Sequence, residues 1–131
     1  MFKIKKSATI LLIETIKPTL DFFENLLNFK VIMAAPEGNT PLSFALLQYG
    51  DIEVQLQTLS SAITDLPNIS FKEPNSAALY FDVDNISEIE NLLLRQTKIK
   101  IVKPKHTTSY GSTEIWVLEP GGHLVGFAQL G

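Results

Sequence analysis

The chain has 131 residues, 45% of them hydrophobic, with a formal net charge of -3 and a pI near 5.3. This length suits one compact domain and is too short for two ordinary independent domains, and the acidic balance argues against nucleic acid as a partner. The absence of cysteine excludes disulfides, thiolate zinc sites and cysteine nucleophiles.

The N-terminal segment combines lysines with an apolar run but does not read as a secretion signal. Glu14 and Lys17 end the run at about the length of a strand, and no small-residue cleavage site follows. No stretch of the sequence approaches the roughly 20 apolar residues that a membrane helix needs. We therefore expect a cytoplasmic protein without a membrane partner.

The first half of the sequence predicts the element order β-α-β-β-β. Thr15 is a candidate N-cap for a helix in which Leu20, Phe23 and Leu27 recur at helical spacing. Apolar and alternating runs predict the strands, and the composition of residues 36–41 predicts a loop. The predicted elements are a helix ending near Asn28 and strands at residues 8–13, 30–34, 42–48 and 52–57.

The second half repeats this order after a Ser-, Pro- and Asn-rich segment, residues 59–75, with a weakly helical patch from Ser61 to Leu66. We interpret that segment as a linker between modules of approximately 1–58 and 76–131. Asn85 followed by Glu88 is close to a capping box. The predicted elements are a helix over residues 86–93, strands at 77–83 and 98–103, a loop at 104–109 and a closing hairpin.

An offset of about 70 residues superimposes the two halves. It aligns Leu11 with Phe81, Ile13 with Val83 and the cap Thr15 with Asn85. The repeat is one of pattern and element order, because sequence identity across it is low. A single four-stranded sheet with one helix has exposed edges and little core, so two copies are expected within one domain.

The closing hairpin carries the most specific pattern, Tyr-Gly…Glu-Ile-x-Val-x-Glu-Pro-Gly-Gly-His-Leu-Val, from Tyr110 to Val125. It resembles the closing hairpin of the vicinal oxygen chelate superfamily, which contains glyoxalases, bleomycin-resistance proteins and extradiol dioxygenases. With the duplication, the resemblance covers residues 1–131 as one domain. It implies an α+β fold in which two β-α-β-β-β modules form a curved, partly closed mixed sheet with helices outside and a concave pocket.

Strand alternation predicts which side chains face that pocket. The apolar parity, expected beneath the helices, comprises Leu11, Ile13, Val54, Leu56, Leu79, Phe81, Val83, Val125 and Phe127. The opposite parity is expected to line the pocket: Ala8, Ile10, Leu12, Phe44, Leu46, Gln48, Glu53, Gln55, Gln57, Ala78, Tyr80, Asp82, Glu114, Trp116, Leu118, Leu124, Gly126 and Ala128.

The resemblance also implies where a divalent metal would bind in the enzymes of the superfamily. The four ligand positions fall on Ala8, Gln55, Ala78 and Gly126, with Glu53 or Gln57 as alternatives to Gln55. Alanine and glycine supply no ligand, whereas a catalytic divalent ion wants three or more side-chain donors. We therefore expect neither a metal nor another cofactor.

Other candidates for chemistry are few. His106 and His123 are expected to be solvent-facing loop residues. Glu114 has the pocket parity and is the one candidate catalytic base or metal ligand, the alternative being a partly exposed carboxylate near the sheet rim. Glu53 is similar. No Ser-His-Asp order, phosphate-binding glycine loop or His-Glu-x-x-His spacing occurs.

These observations leave three hypotheses. The leading one is a metal-free homodimeric protein, similar to the bleomycin-resistance group, that sequesters a small, partly aromatic molecule in the manner of antibiotic resistance. The second is a metal-dependent lyase, isomerase or dioxygenase with a displaced site at Glu114 with Gln55 or His123. The third is a structural module whose hollow is filled by Phe44 and Trp116. The predicted ligand-binding residues are Ile10, Phe44, Leu46, Gln48, Gln55, Tyr80, Tyr110, Glu114, Trp116 and Leu124.

Overall fold

The computed structural model describes residues 1–38, 41–69 and 77–131. Clustering of contacts divides the chain into two compact units, Met1–Lys72 and Glu73–Gly131. Each unit contains one four-stranded sheet with one parallel and two antiparallel strand pairs, which confirms the predicted α+β class. Within the described ranges, no helix is long and apolar enough to cross a membrane.

The first unit has the predicted β-α-β-β-β order followed by a further helix. Its sheet has the order β1-β4-β3-β2, with β1 parallel to β4. The helix α1 continues into a π-helical turn, and α2 falls in the predicted linker, of which residues 70–75 lie outside the described part. The elements are β1 (Thr9–Ile13), α1 (Ile16–Asp21), the π-helical turn (Phe22–Leu26), β2 (Lys30–Ala35), β3 (Phe44–Tyr49), β4 (Ile52–Thr58) and α2 (Leu59–Asp65).

Aromatic packing fixes the core of the first unit. Phe23 is fully buried, and its ring lies edge-on to those of Phe22 and Phe29, with centroids 5.2 Å apart in both pairs. Such edge-to-face pairs add to the free energy gained by burying the rings. The strand residues predicted to lie beneath the helix are buried with them: Leu11, Ile13, Val54 and Leu56.

The second unit repeats the topology, with the sheet order β5-β8-β7-β6 and β5 parallel to β8. The helix α3 packs against β7 and β8. Its core is built from Leu93, Ile115, Val117, Val125 and Phe127, each no more than 1% exposed. The elements are β5 (Leu79–Asp82), α3 (Ile86–Leu94), β6 (Lys100–Thr107), β7 (Ser112–Leu118) and β8 (Leu124–Leu130).

The loop predicted at residues 104–109 is wrong for its first four residues, which continue β6 to Thr107. Pro104 is tolerated there because β6 is the outermost strand of its sheet, where a residue without an N–H loses no ladder hydrogen bond. The register shifts between Ile101 and Lys103, and β2 shifts at the equivalent place, between Val31 and Met33. The repeat thus extends to a β-bulge in the corresponding edge strands β2 and β6.

The two predicted helix caps differ in the structure. Asn85 Oδ1 accepts a hydrogen bond from the Glu88 N–H at 3.1 Å, as the capping-box pattern predicts. Thr15 occupies the N-cap position of α1, but its side chain makes no capping hydrogen bond. We expect Asn85→Ala to lower the free energy of unfolding by about 1 kcal/mol and Thr15→Ala to lower it far less. Urea unfolding of both variants measures this, and equal losses would contradict it.

Candidate functional site

Tyr80, Gly126 and Trp116 lie side by side on three adjacent strands of the second unit. In the registers of the sheet, Gly126 on β8 pairs with Tyr80 on β5 and with Trp116 on β7. Because side chains alternate, these residues share the face opposite the buried Val117 and Val125. We use the term aromatic face for Tyr80, Tyr110, Glu114, Trp116 and Gly126.

The indole ring of Trp116 lies directly over Gly126. A Cβ atom at residue 126 would come within 2.7 Å of Cη2 and Cζ3 and 2.8 Å of Cε3 of the ring. Real Cβ atoms do not approach carbon atoms so closely, so this ring position requires glycine. The position at which the superfamily resemblance places a metal ligand is therefore covered by an aromatic ring.

Glu114 holds the aromatic side chains in place from beneath. Its carboxylate is 3% exposed, which makes the expectation of a partly exposed rim residue wrong. Oε2 accepts hydrogen bonds from Tyr80 OH, from Tyr110 OH at 2.8 Å and from Ser112 Oγ at 3.2 Å, and Oε1 accepts one from Trp116 Nε1 at 3.1 Å. Four donors on three different side-chain types thus converge on one carboxylate.

These hydrogen bonds set the protonation states of the site. The bond from Tyr80, reinforced by those from Tyr110, Trp116 and Ser112, outweighs desolvation and lowers the pKa of Glu114 to about 2. The same bond, together with desolvation, raises the pKa of Tyr80 to about 12. Glu114 is accordingly a poor general base, because a base is most effective with a pKa near the working pH.

The stability of the fold at acidic pH should depend on the protonation of Glu114. An unperturbed Glu pKa is 4.5 and that of folded Glu114 about 2, so its stabilisation is fully present above pH 4.5 and is lost as the pH falls towards 2. Glu114→Gln removes this titration. We expect the difference in Tm between wild type and variant to be largest near neutral pH and to narrow in acid. Thermal scans across this pH range measure it, and a constant difference would contradict the assignment.

The rings above Glu114 remain accessible. Tyr80 is 46% exposed and Tyr110 is 71% exposed, whereas Trp116 is half-buried. The centroids of the Tyr80 and Trp116 rings are 5.6 Å apart, with 37° between the ring planes. Solvent-exposed aromatic surface over a buried anion is suited to stacking against a planar or cationic molecule.

The first unit contains a cluster of polar side chains around Glu53, which is 8% exposed. Its Oε1 accepts from Lys6 Nζ at 2.9 Å and from Gln48 Nε2 at 3.5 Å, and its Oε2 accepts from Gln55 Nε2 at 3.0 Å. The bond from Lys6, followed by that from Gln55, lowers the pKa of Glu53. The predicted ligand-binding residues Gln48 and Gln55 are therefore brought together, while Gln57 donates to side chains of α2.

The other predicted ligand-binding residues are divided between the two units. Ile10 and Leu46 both pair with Gln55, from the strands on either side of β4, and Ile10 is 50% exposed. Phe44 is half-buried on β3, and Leu124 is half-buried on β8 of the second unit. Five predicted residues thus belong to each unit, and their union in a single pocket stays a prediction.

The divalent metal implied by the resemblance does not fit the residues present. Of the four positions, Ala8, Ala78 and Gly126 offer no donor, and the Gln55 amide nitrogen donates to Glu53. In residues 1–38, 41–69 and 77–131, no three His, Cys, Asp or Glu side chains group together as a metal site would require.

The expectation that His123 faces solvent is wrong. It is 6% exposed, and its Nδ1 lies 3.1 Å from Oε1 of Glu119, which is 2% exposed. Glu119 also accepts from the N–H groups of Gly121 and His123. His106 lies in β6 rather than in a loop, with Nδ1 2.8 Å from the Pro104 carbonyl oxygen. The Glu119 carboxylate accepts hydrogen bonds from the backbone of the turn, and His123 is buried because its imidazole lies against that carboxylate.

Comparison with known proteins agrees with this architecture. Residues 6–129 match the family described as the glyoxalase-like domain. No curated protein matches the sequence. Solved structures with the same fold include a glyoxalase-related enzyme from Fulvimarina pelagi, with 16% identity, a TM-score of 0.79 and coverage of 96% of this chain and 88% of that chain.

Two further solved structures have similar folds. A glyoxalase/bleomycin resistance protein/dioxygenase family enzyme from Burkholderia phytofirmans has 17% identity and a TM-score of 0.79, covering 95% of this chain and 97% of that chain. A virulence protein from Salmonella typhimurium has 22% identity and a TM-score of 0.68, covering 100% of both chains. At these identities the likeness shows the fold alone, since one fold hosts many functions.

Proposed function

Because the chain belongs to the glyoxalase-like domain family, within the vicinal oxygen chelate superfamily, we propose that it binds a small, partly aromatic molecule without converting it. The aromatic face of the second unit is the proposed contact surface. The observation that carries the proposal is the Trp116 ring, which is fixed over Gly126 and hydrogen-bonded through Nε1 to Glu114. A ring held in this way loses little conformational entropy when a ligand stacks on it.

Binding without conversion is supported by the state of the candidate catalytic groups. Glu114 already accepts four hydrogen bonds, and its pKa of about 2 opposes proton transfer at neutral pH. His123, the other proposed partner in a displaced site, lies against Glu119 within the hairpin turn. Retention of about one metal ion per chain in elemental analysis would contradict this proposal in favour of a metal-dependent enzyme.

More specifically, we propose that the protein sequesters an antibiotic, as the bleomycin-resistance proteins do. The superfamily resemblance includes the bleomycin-resistance group, and the name of the Burkholderia phytofirmans neighbour contains the same words. Bleomycin is therefore the first compound to test, followed by other antibiotics with planar aromatic rings.

Fluorescence of Trp116, the one tryptophan of the chain, provides the test. Titration with each compound should shift or quench the emission saturably, and mass spectrometry should recover the compound unchanged. Tyr80→Ala should weaken binding, whereas Tyr49→Ala is a matched control, because Tyr49 is 53% exposed in the first unit and Tyr80 is 46% exposed. Equal effects of the two variants, or an altered compound, would contradict the proposal.

We also propose that the protein acts as a homodimer in the cytoplasm. The resemblance to the bleomycin-resistance group implies the dimer. Light scattering on the purified protein should give twice the chain mass of 14.6 kDa. A mass of one chain at all concentrations would contradict the dimer.

A further inference from the structure

In the part of the chain that the structure describes, three glutamates are nearly fully buried, and they differ in the groups that contact their carboxylates. Glu53 forms an ion pair with Lys6 Nζ at 2.9 Å, and Glu119 lies 3.1 Å from the imidazole of His123. Glu114 accepts hydrogen bonds from two phenols, a hydroxyl and an indole, all of them neutral. Among the described residues, Glu114 is in no ion pair.

A buried carboxylate without a cationic partner leaves a net negative charge inside the site. Buried charges are usually paired, whereas the neutral donors around Glu114 stabilise its carboxylate without cancelling its charge. The neighbouring strand β6 carries Lys103 and His106 opposite Trp116 and Glu114, but the side chain of Lys103 is exposed and His106 bonds to Pro104. The charge of Glu114 therefore remains available to a ligand.

The rings around Glu114 favour a cation for a second reason. The hydroxyl groups of Tyr80 and Tyr110 donate hydrogen bonds to the carboxylate, which increases the electron density on their rings. Aromatic faces attract cations through their quadrupoles, most strongly where water is excluded. Asp82, exposed on the same strand as Tyr80, adds a further negative charge. The aromatic ring faces and the negative charge of Glu114 thus both favour a cationic ligand.

We propose that the ligand of the aromatic face is an organic cation whose charge lies on a nitrogen without N–H donors, such as a quaternary ammonium or an N-methylated aromatic ring. This inference rests on the proposed binding function and names its ligand class. The absence of N–H groups follows from the burial of Glu114, which is 3% exposed. A ligand meets the exposed faces of Tyr80 and Tyr110 rather than the carboxylate itself, and a cation–π contact with these rings needs no N–H donor.

Pairs of molecules with equal shape and different charge test the inference. We would measure binding of 1-methylquinolinium and its uncharged analogue 1-methylnaphthalene by calorimetry on the full chain. The expected result is about tenfold tighter binding of the cation. Equal affinities would overturn the cation inference and leave the binding proposal standing. Failure of both compounds to bind would overturn the binding proposal and the inference with it.

A second pair tests the preference against N–H donors. Choline is expected to bind about tenfold more tightly than ethanolamine, whose ammonium group differs by three methyl groups. Tighter binding of ethanolamine would overturn this part of the inference. Both pairs use the wild-type protein, so the outcome does not depend on whether a variant folds.

Glu114→Gln then assigns the preference to a residue. The variant should lose the preference for 1-methylquinolinium over 1-methylnaphthalene, which is read as the ratio of the two affinities measured on the same variant. Glu53→Gln is the matched control, because it removes a charge of equal size from a carboxylate that is 8% exposed in the first unit. Loss of the preference in the control, or its retention in Glu114→Gln, would overturn the assignment to Glu114.

Discussion

Replacing Trp116 with alanine is expected to weaken ligand binding about 30-fold or more, because the ring forms the centre of the aromatic face and such residues dominate binding energy. The same change should lower the free energy of unfolding by only about 1–2 kcal/mol, since the side chain is half-buried. Calorimetric titration and urea unfolding of the same preparation measure the two effects.

The matched control is Phe127→Ala on the neighbouring strand. Phe127 is 1% exposed, and its ring stacks on Phe81 with centroids 5.9 Å apart. Truncating this buried ring should lower the free energy of unfolding by about 3–5 kcal/mol. If Trp116→Ala lost as much stability as Phe127→Ala and bound ligand normally, the ring would be core filling, and the structural-module hypothesis would replace the binding proposal.

Gly126→Ala is expected to destabilise the protein by about 1–3 kcal/mol, an unusual cost for adding one methyl group. The new Cβ would lie 2.7 Å from the indole ring, so the ring must move and its hydrogen bond to Glu114 must break. The emission of Trp116 should shift with this movement, and ligand affinity should fall together with stability.

A double-mutant cycle separates the ring contact from other effects of the methyl group. In the Trp116→Ala background the ring is absent, so Gly126→Ala should cost nothing there and gain up to about 1 kcal/mol from reduced backbone entropy in the unfolded chain. Gly126 does not have a positive φ, so alanine suits its backbone. If Gly126→Ala lowered the free energy of unfolding equally in both backgrounds, the strain would not come from the Trp116 ring.

Much of the fold follows from local patterns in the sequence. Alternation within β7 and β8 predicts that Trp116 and Gly126 share a face and that Val117 and Val125 share the other. The capping pattern at Asn85 depends on residues three apart, so it is visible without the tertiary structure. The duplication adds the element order, because each half repeats β-α-β-β-β.

The environment of Glu114 could not be predicted in the same way. One of its donors, Tyr80, is 34 residues away and meets it only when β5 joins the sheet. Burial of His123 depends on Glu119 turning back over its own loop. The continuation of β6 through Pro104 depends on the position of that strand at the sheet edge. Each case requires contacts that periodicity does not encode.

The parallel pairing of first and last strands has a consequence for the order of events during synthesis. Thr9 pairs with Val54 and Leu79 pairs with Val125, so neither sheet can be completed until its fourth strand has left the ribosome. Closing such long loops slows folding, because chain entropy is lost before the contacts form. The hairpin of β7 and β8, with the Glu119 turn, is the local segment best suited to form early and to receive β5.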